Sequence, residues 1–262
     1  MRFLFVSSEQ LVRVNPSEFK VILDASQSKR LSKVLRLHAG DETLVRVLPT
    51  GELFDAKISM LKGNKGELIL SPNLKDPAAG DLRSSPYVEL SIGMSIIKKK
   101  NFELVVQKVS ELGGQAITPL EAERSDVRLV SSFCKDSRRL YDITLEACMQ
   151  SERPVPLNIK EVLSPIDFAR KALFDGNKVF VLHEDCEDSV LMRHSEIAQL
   201  VKKVESQVKS IKITVLVGPE GGFSQTEIDE LKEVGCQIKR LPGFILRAET
   251  AAIMIAALFT LN

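Results

Sequence analysis

Apolar positions follow two regimes along this chain, and the change between them marks a boundary. Over the first 75 residues, short apolar runs alternate with turn formers. Arg2 to Val6, Val21 to Leu23, Glu42 to Leu48, Phe54 to Met60 and Glu67 to Leu70 read as strands, with a short helix near Ser28 to Arg36. Closely spaced strands of this kind predict a small β-barrel over residues 1–75. Ser71 to Pro86 holds three prolines and Gly80, which puts an exposed linker at residues 76–86.

From Tyr87 onward strand and helix patterns alternate, the mark of a parallel sheet, so residues 87–262 read as an α/β domain. Val88 to Ile97 is a strand. Phe102, Val105, Val106, Val109 and Leu112 are spaced for one helical face that Gly113-Gly114 stops. Leu140, Ile143, Ala147 and Cys148 line a helix that Pro154 closes. Lys178 to Leu182 and Ile213 to Val217 are buried strands, the second ending abruptly at Gly218-Pro219. Ser224 and Glu227 have the spacing of a capping box, so a helix starts there with Ile228, Leu231 and Val234 inward and Gly235 at its stop. Thr250 is the expected N-cap of a last helix, Ala251 to Leu261, which is apolar all round and therefore buried in a core or an interface.

Charge adds a direction to this division. The net charge is +1, but residues 1–75 hold twelve Lys and Arg against eight Asp and Glu, so the excess of cations lies at the front. That bias suits an RNA-docking module and equally suits an ordinary solvated surface. Lys98, Lys99 and Lys100 sit between a strand and a helix, as a solvated loop or as phosphate contacts. Cys134, Cys148, Cys186 and Cys236 form no C-x-x-C pair, and His38, His183 and His194 add no ligand spacing, so no metal site is expected. Cys148 reads as a packing residue ahead of a nucleophile, and His183 as a buried histidine or a ligand contact. Without a signal peptide or a long apolar run, the chain is expected in the cytoplasm with its thiols reduced, and away from membranes.

Candidate chemistry concentrates in Leu216-Val-Gly-Pro-Glu-Gly-Gly-Phe-Ser224 and Leu241-Pro-Gly-Phe-Ile-Leu-Arg-Ala-Glu-Thr-Ala251. Ligands of open α/β sheets bind beyond the carboxyl ends of strands, where the first segment lies. It has neither the P-loop nor the G-x-G-x-x-G spacing, and Glu220 would repel a phosphate. A cationic ligand, or one rich in donors, tolerates that carboxylate; a plain turn is the other reading. Arg247 and Glu249 stand at the mouth of the buried last helix, either as working groups or as a mutual ion pair.

These two segments resemble the ribosomal RNA small subunit methyltransferase E family, the 16S rRNA uridine-N3 methyltransferases of the SPOUT class. Further matching pieces are Lys33-Val-Leu-Arg36 with Gly40-Asp41, Gly51-Glu-Leu-Phe-Asp-Ala56, Gln107-Lys-Val-Ser-Glu-Leu-Gly113, Glu123-Arg-Ser125 and Glu146-Ala-Cys-Met-Gln-Ser-Glu-Arg-Pro154, in the family's order over nearly the whole chain. Where the family usually reads L-G-x-R-[IV]-L-R-T-E-T, this chain has Pro242, Phe244 and Ala248 in place of Gly, Arg and Thr.

The resemblance implies a PUA-like β-barrel over residues 1–75 and a SPOUT α/β domain with a deep trefoil knot over 87–262. It implies S-adenosylmethionine in a pocket made by Leu182, Leu216, Gly218, Pro219, Glu220, Gly221, Gly222, Leu241, Leu246 and Arg247. It implies methyl transfer to N3 of a uridine in 16S rRNA or the small ribosomal subunit, with Arg247 steadying charge on the uracil carbonyls and Glu249 or Glu220 orienting the ring or taking the proton. Arg2, Arg30, Lys33, Arg36, Lys98, Lys99 and Lys100 are the candidate RNA contacts, and the last helix the candidate homodimer interface. A SPOUT enzyme for another rRNA or tRNA base, and an RNA-binding protein without catalysis, are the other two readings.

Overall fold

The computed structural model describes residues 3–73, 88–126, 130, 133, 137–186, 210–241 and 243–260. Arg2, the linker at 76–86, Cys134, His194 and Pro242 lie outside the described residues. By its contacts the chain divides into two compact units, Met1–Ser84 with Cys148–Val155, and Ser85–Ala147 with Pro156–Asn262.

The first unit is a six-stranded mixed sheet. Its strands are β1 (Phe3–Ser7), β2 (Leu11–Asn15), β3 (Glu18–Leu23), β4 (Glu42–Leu48), β5 (Glu52–Lys62) and β6 (Lys65–Pro72), in the order β1-β4-β5-β6-β3-β2. The β1–β4 pair is parallel, and the other ladders are antiparallel. Inward residues of five strands, among them Leu4, Val21, Val45, Phe54 and Leu68, meet in one core cluster, as a strongly curved sheet requires. The sequence pattern missed β2, because Val12 and Val14 are both more than half exposed on an edge strand, so no buried face marks it. The helix expected at Ser28 to Arg36 begins earlier: Asp24 and Gln27 form a capping box for α1 (Ala25–Lys29), and a π-turn continues through Arg30–Val34. Arg30 is half-buried, whereas Lys33 and Arg36 are exposed.

The second unit carries an all-parallel sheet in the order β12-β10-β11-β7-β8-β9. Its strands are β7 (Val88–Ser95), β8 (Ala116–Leu120), β9 (Asn158–Ile159), β10 (Lys178–Leu182), β11 (Ile211–Val217) and β12 (Gln237–Lys239). The helices are α2 (Lys99–Glu111), α3 (Ser137–Ser151), α4 (Pro165–Phe174), α5 (Gln225–Glu233) and α6 (Ala248–Thr260). Parallel strands are buried on both faces, and two core clusters supply the cover. On one face Val105 and Val109 of α2 and Ala252, Ile255 and Phe259 of α6 pack on Leu90, Ile92 and Val215. On the other, Phe168 of α4 and Ile228 and Leu231 of α5 pack on Val179, Val181 and Leu216. The strand order reverses beside β7: β8 and β9 run outward on one side, and β11, β10 and β12 on the other. A crevice at the carboxyl ends is expected at such a reversal. The trefoil knot is a property of the whole chain path, which includes residues 187–209 outside the described set.

Local signals account for two helix starts here. Ser224 accepts from the Glu227 amide at 3.1 Å and Glu227 accepts from the Ser224 amide at 2.8 Å, so the capping box forms as the spacing requires. Ser164 caps α4 with Pro165 in its first turn, a start signal present in the sequence but not used above. Thr250 is not the N-cap of the last helix. The Ala251 amide donates to the Arg247 carbonyl at 2.9 Å, so Arg247 holds the cap position and α6 starts at Ala248. The early start brings Glu249 into the first turn, where a carboxylate complements the positive end of the helix dipole.

Candidate functional site

The carboxyl ends of β10, β11 and β12 and the start of α6 enclose a cavity of about 800 Å³, within the roughly 300–1,000 Å³ typical of small-molecule sites. Leu182 to Asp185 supply one edge, Val217 to Glu220 with Gly222 a second, and the stretch from Arg240 into α6 a third.

The glycine loop is built to hold one shape. The Gly222 amide donates to the Pro219 carbonyl at 2.9 Å, closing a turn in which Gly222 adopts φ +67°. A side chain at Gly218 would meet the backbone of Gly222 and Phe223 at 3.1 to 3.3 Å, so this tight reversal favours glycine there. Phe223 is buried at 2% exposure and anchors the loop's far end beneath α5. The turn after β8 braces the loop from outside. Arg124 donates through Nη1 to the Gly221 carbonyl at 2.8 Å, and the Glu123 amide donates to Oε1 of the capping residue Glu227 at 2.9 Å. Both oxygens of Glu227 are therefore engaged, one inside the capping box and one across to the neighbouring loop.

The opposite wall is exposed. Phe244 and Ile245 are 93% and 79% accessible while lining the cavity, and Gly243 beside them adopts φ +89°. Arg247 is also exposed and Leu246 half-buried. Glu249 is only 8% exposed, lines the cavity, and accepts through Oε1 from Asn101 Nδ2 of α2 at 3.1 Å.

The residues singled out from sequence fall as follows. Leu182, Gly218, Pro219, Glu220, Gly222, Leu241, Leu246, Arg247 and Glu249 all line the cavity, with Lys98 of the lysine run. Leu216 lies instead in the core against α4 and α5, since the alternation of a strand turns it to the face away from Val215 and Val217. Gly221 is held by Arg124 beside the cavity rather than in its lining. Lys99 and Lys100 open α2 with exposed side chains. Glu220 is exposed, unlike Glu249. Sequence reading overlooked Asn101, Glu184, Asp185 and Arg240 as cavity residues. It also gave no role to Arg124, although Glu123-Arg-Ser125 was among the matching segments; a brace between two loops leaves no periodic trace.

Two of the described cysteines, Cys148 and Cys236, are buried. Cys148 is buried with Sγ 3.5 Å from the Val155 carbonyl. Burial pushes the Cys236 thiol up to about 11, in the cluster beneath Phe223. Among the described residues no group of three His, Cys, Asp or Glu is placed to hold a metal, and no helix is long and apolar enough to cross a membrane.

Comparison with known proteins agrees with this architecture. A family model described as an RNA methyltransferase domain matches residues 83–260. Ribosomal RNA small subunit methyltransferase E of Rickettsia conorii is 30% identical over 228 residues, covering 86% of this chain and 82% of that protein. Its counterpart in Bacillus subtilis is 28% identical over 221 residues, covering 84% and 81%. Two solved structures share the fold: a putative methyltransferase from Legionella pneumophila in complex with the bound cofactor SAM, with TM-score 0.75, 24% identity and coverage of 99% and 97%, and a ribosomal RNA small subunit methyltransferase E from Neisseria gonorrhoeae bound to S-adenosyl methionine, with TM-score 0.73, 22% identity and coverage of 98% and 95%. The chain belongs to the ribosomal RNA small subunit methyltransferase E family of RNA methyltransferases.

Proposed function

We propose that this protein binds S-adenosylmethionine in the cavity at the ends of β10, β11 and β12 and methylates N3 of a uridine in 16S rRNA. The observation that carries this reading is the cavity itself, where a rigid glycine turn, an apolar lining of Leu182, Leu241 and Leu246, and a buried carboxylate at Glu249 converge. The fit is chemical as well as spatial. A nucleoside needs an apolar slot with backbone groups at its edge, and a sulfonium is tolerated by a wall that carries Glu184, Asp185, Glu220 and Glu249.

When bound, the donor supplies an electrophilic methyl carbon whose bond to sulfur breaks as the nitrogen bond forms, the electron pair returning to sulfur. The protein's part is to position the base and to remove its N3 proton. Glu249 is the acceptor for that proton, because it is buried beside the cavity whereas Glu220 stands in solvent. Arg247 and Lys98 line the same cavity and stabilise negative charge on the uracil carbonyls. N3 lies on the Watson–Crick edge, so the target base enters unpaired.

The first unit, with Arg30, Lys33 and Arg36, serves as the RNA-docking module, and Lys99 and Lys100 add phosphate contacts. A homodimer formed through α6 is favoured by the half-buried apolar stripe Ile253, Met254, Ala257 and Leu258. Mass spectrometry of 16S rRNA from a strain lacking the gene tests the reading. Loss of 3-methyluridine, restored by the wild-type gene, is the expected result; its retention would exclude the assignment.

A further inference from the structure

Glu249 raises a question of geometry. A mostly buried carboxylate needs partners, yet among the described residues its one hydrogen bond is from Asn101, through Oε1. No described residue bonds its second oxygen, and Glu249 lines the cavity. Asn101 comes from the first turn of α2, whose N-cap, Lys98, caps no amide with its side chain. The amino ends of α2 and α6 are thus joined by this hydrogen bond.

The chemistry of the anchor matters. A lysine or arginine in place of Asn101 would pair its charge with the carboxylate and lower its appetite for a proton. An amide orients the carboxylate by donation and carries no charge, so the full negative charge stays available. The cations Lys98, Arg240 and Arg247 also line the cavity, with His183 and the acids Glu184, Asp185 and Glu220.

We propose that Asn101 is a positioning residue that fixes the Glu249 carboxylate so that Oε2 accepts the imide N–H of the incoming base. The proposal rests on the uridine reading above and deepens it to base selection. Uracil offers a donor at N3. Cytosine offers a lone pair there, which an acceptor-only carboxylate repels. The Asn101–Glu249 pair therefore selects uracil through one hydrogen bond.

The test uses the full chain, S-adenosylmethionine and small ribosomal subunits that lack the modification. Asn101→Ala is expected to keep the affinity for S-adenosylmethionine within about twofold while kcat falls roughly tenfold or more, since a misaligned base forfeits part of general-base catalysis. Asn101→Asp sets a second negative charge beside Glu249, which disfavours its ionised form; the acidic limb of the pH–rate profile is expected to move by about one unit toward alkaline pH. A purely structural contact would not move that limb. Cofactor titration shows that both variants are folded. If the Asp variant's profile superimposes on that of wild type, or if cofactor affinity falls in step with activity, the positioning role is overturned. Failure of the wild-type chain to bind S-adenosylmethionine is a different result and sinks the functional reading itself.

Discussion

The two walls of the cavity differ in how much of the fold stands behind them. The wall from Val217 to Gly222 is fixed from three directions: the turn bond to Pro219, Phe223 and the capping box below, and Arg124 with Glu123 from the β8 side. The wall from Gly243 to Arg247 carries two large apolar side chains that are almost fully accessible. A rigid wall suits a ligand of constant shape, since preorganisation lowers the ordering cost of binding. An open wall suits a ligand that arrives attached to something larger. On the function proposed above, the first wall serves the cofactor, and the exposed lip of Phe244 and Ile245 serves RNA or a second subunit, with Glu249 at the seam.

The sharpest test of that assignment is at the seam. Glu249→Gln keeps the side chain's shape and an oxygen for Asn101, but removes the proton acceptor. Cofactor affinity is expected to stay within about twofold while kcat falls roughly 100-fold or more, the usual scale for a lost general base. Isothermal titration and single-turnover methylation separate the two quantities. Loss of cofactor binding in this variant would transfer Glu249 to the cofactor's side and break the division.

Next in size is the rigid wall. Gly222→Val forces a β-branched residue into φ +67°, at a cost of roughly 1–2 kcal/mol that the turn relieves by opening. Affinity for S-adenosylmethionine is expected to fall about tenfold or more, because each ~1.4 kcal/mol is a factor of ten. The fold should survive, since nothing lies within 4 Å of a Cβ added there. Undiminished affinity in a calorimetric titration would mean that the cofactor does not depend on this turn.

Legibility from sequence follows the same division. The rigid wall could be read because its parts are local: a strand, a Gly-Pro stop and a capping box three residues wide. The parallel sheet was legible from alternating periods, and α2 from the spacing of Phe102, Val105, Val106 and Val109, all of them buried. What escaped was non-local or featureless. Arg124 reaches Gly221 across 97 residues and Asn101 reaches Glu249 across 148, and no window of sequence holds both ends. Strands β9 and β12, of two and three residues, are too short to show a period. Thr250 is a good cap type, but the burial of Ala248 and Glu249 pulled the helix start forward past it.

The open wall should respond weakly. Phe244→Ala removes a ring that is 93% exposed, so melting temperature and cofactor affinity are expected to be unchanged. The effect belongs on the Michaelis constant for ribosomal subunits, by about three- to tenfold, from a lost stacking or interface contact worth about 1 kcal/mol. A tenfold loss of cofactor affinity would contradict the contrast between the walls.

The smallest effect lies behind the rigid wall. Cys236 packs in the cluster with Phe223, Ile228 and Leu231, and burial holds its thiol neutral up to about pH 11, against 9.0 for an unhindered cysteine. Between those values the unfolded chain releases a proton that the folded chain retains, so unfolding gains a favourable step as pH rises. The thiol's contribution to stability is complete below pH 9.0 and is lost as pH climbs toward about 11. Cys236→Ala should be the less stable chain at neutral pH through lost packing, and the gap between the two chains should narrow through that window, as read from urea midpoints. A gap that stays constant would mean that the thiol ionises as freely in the fold as outside it. The layer beneath the glycine turn would then admit water, and the rigidity assigned to that wall would have to come from Arg124 and Glu123 alone.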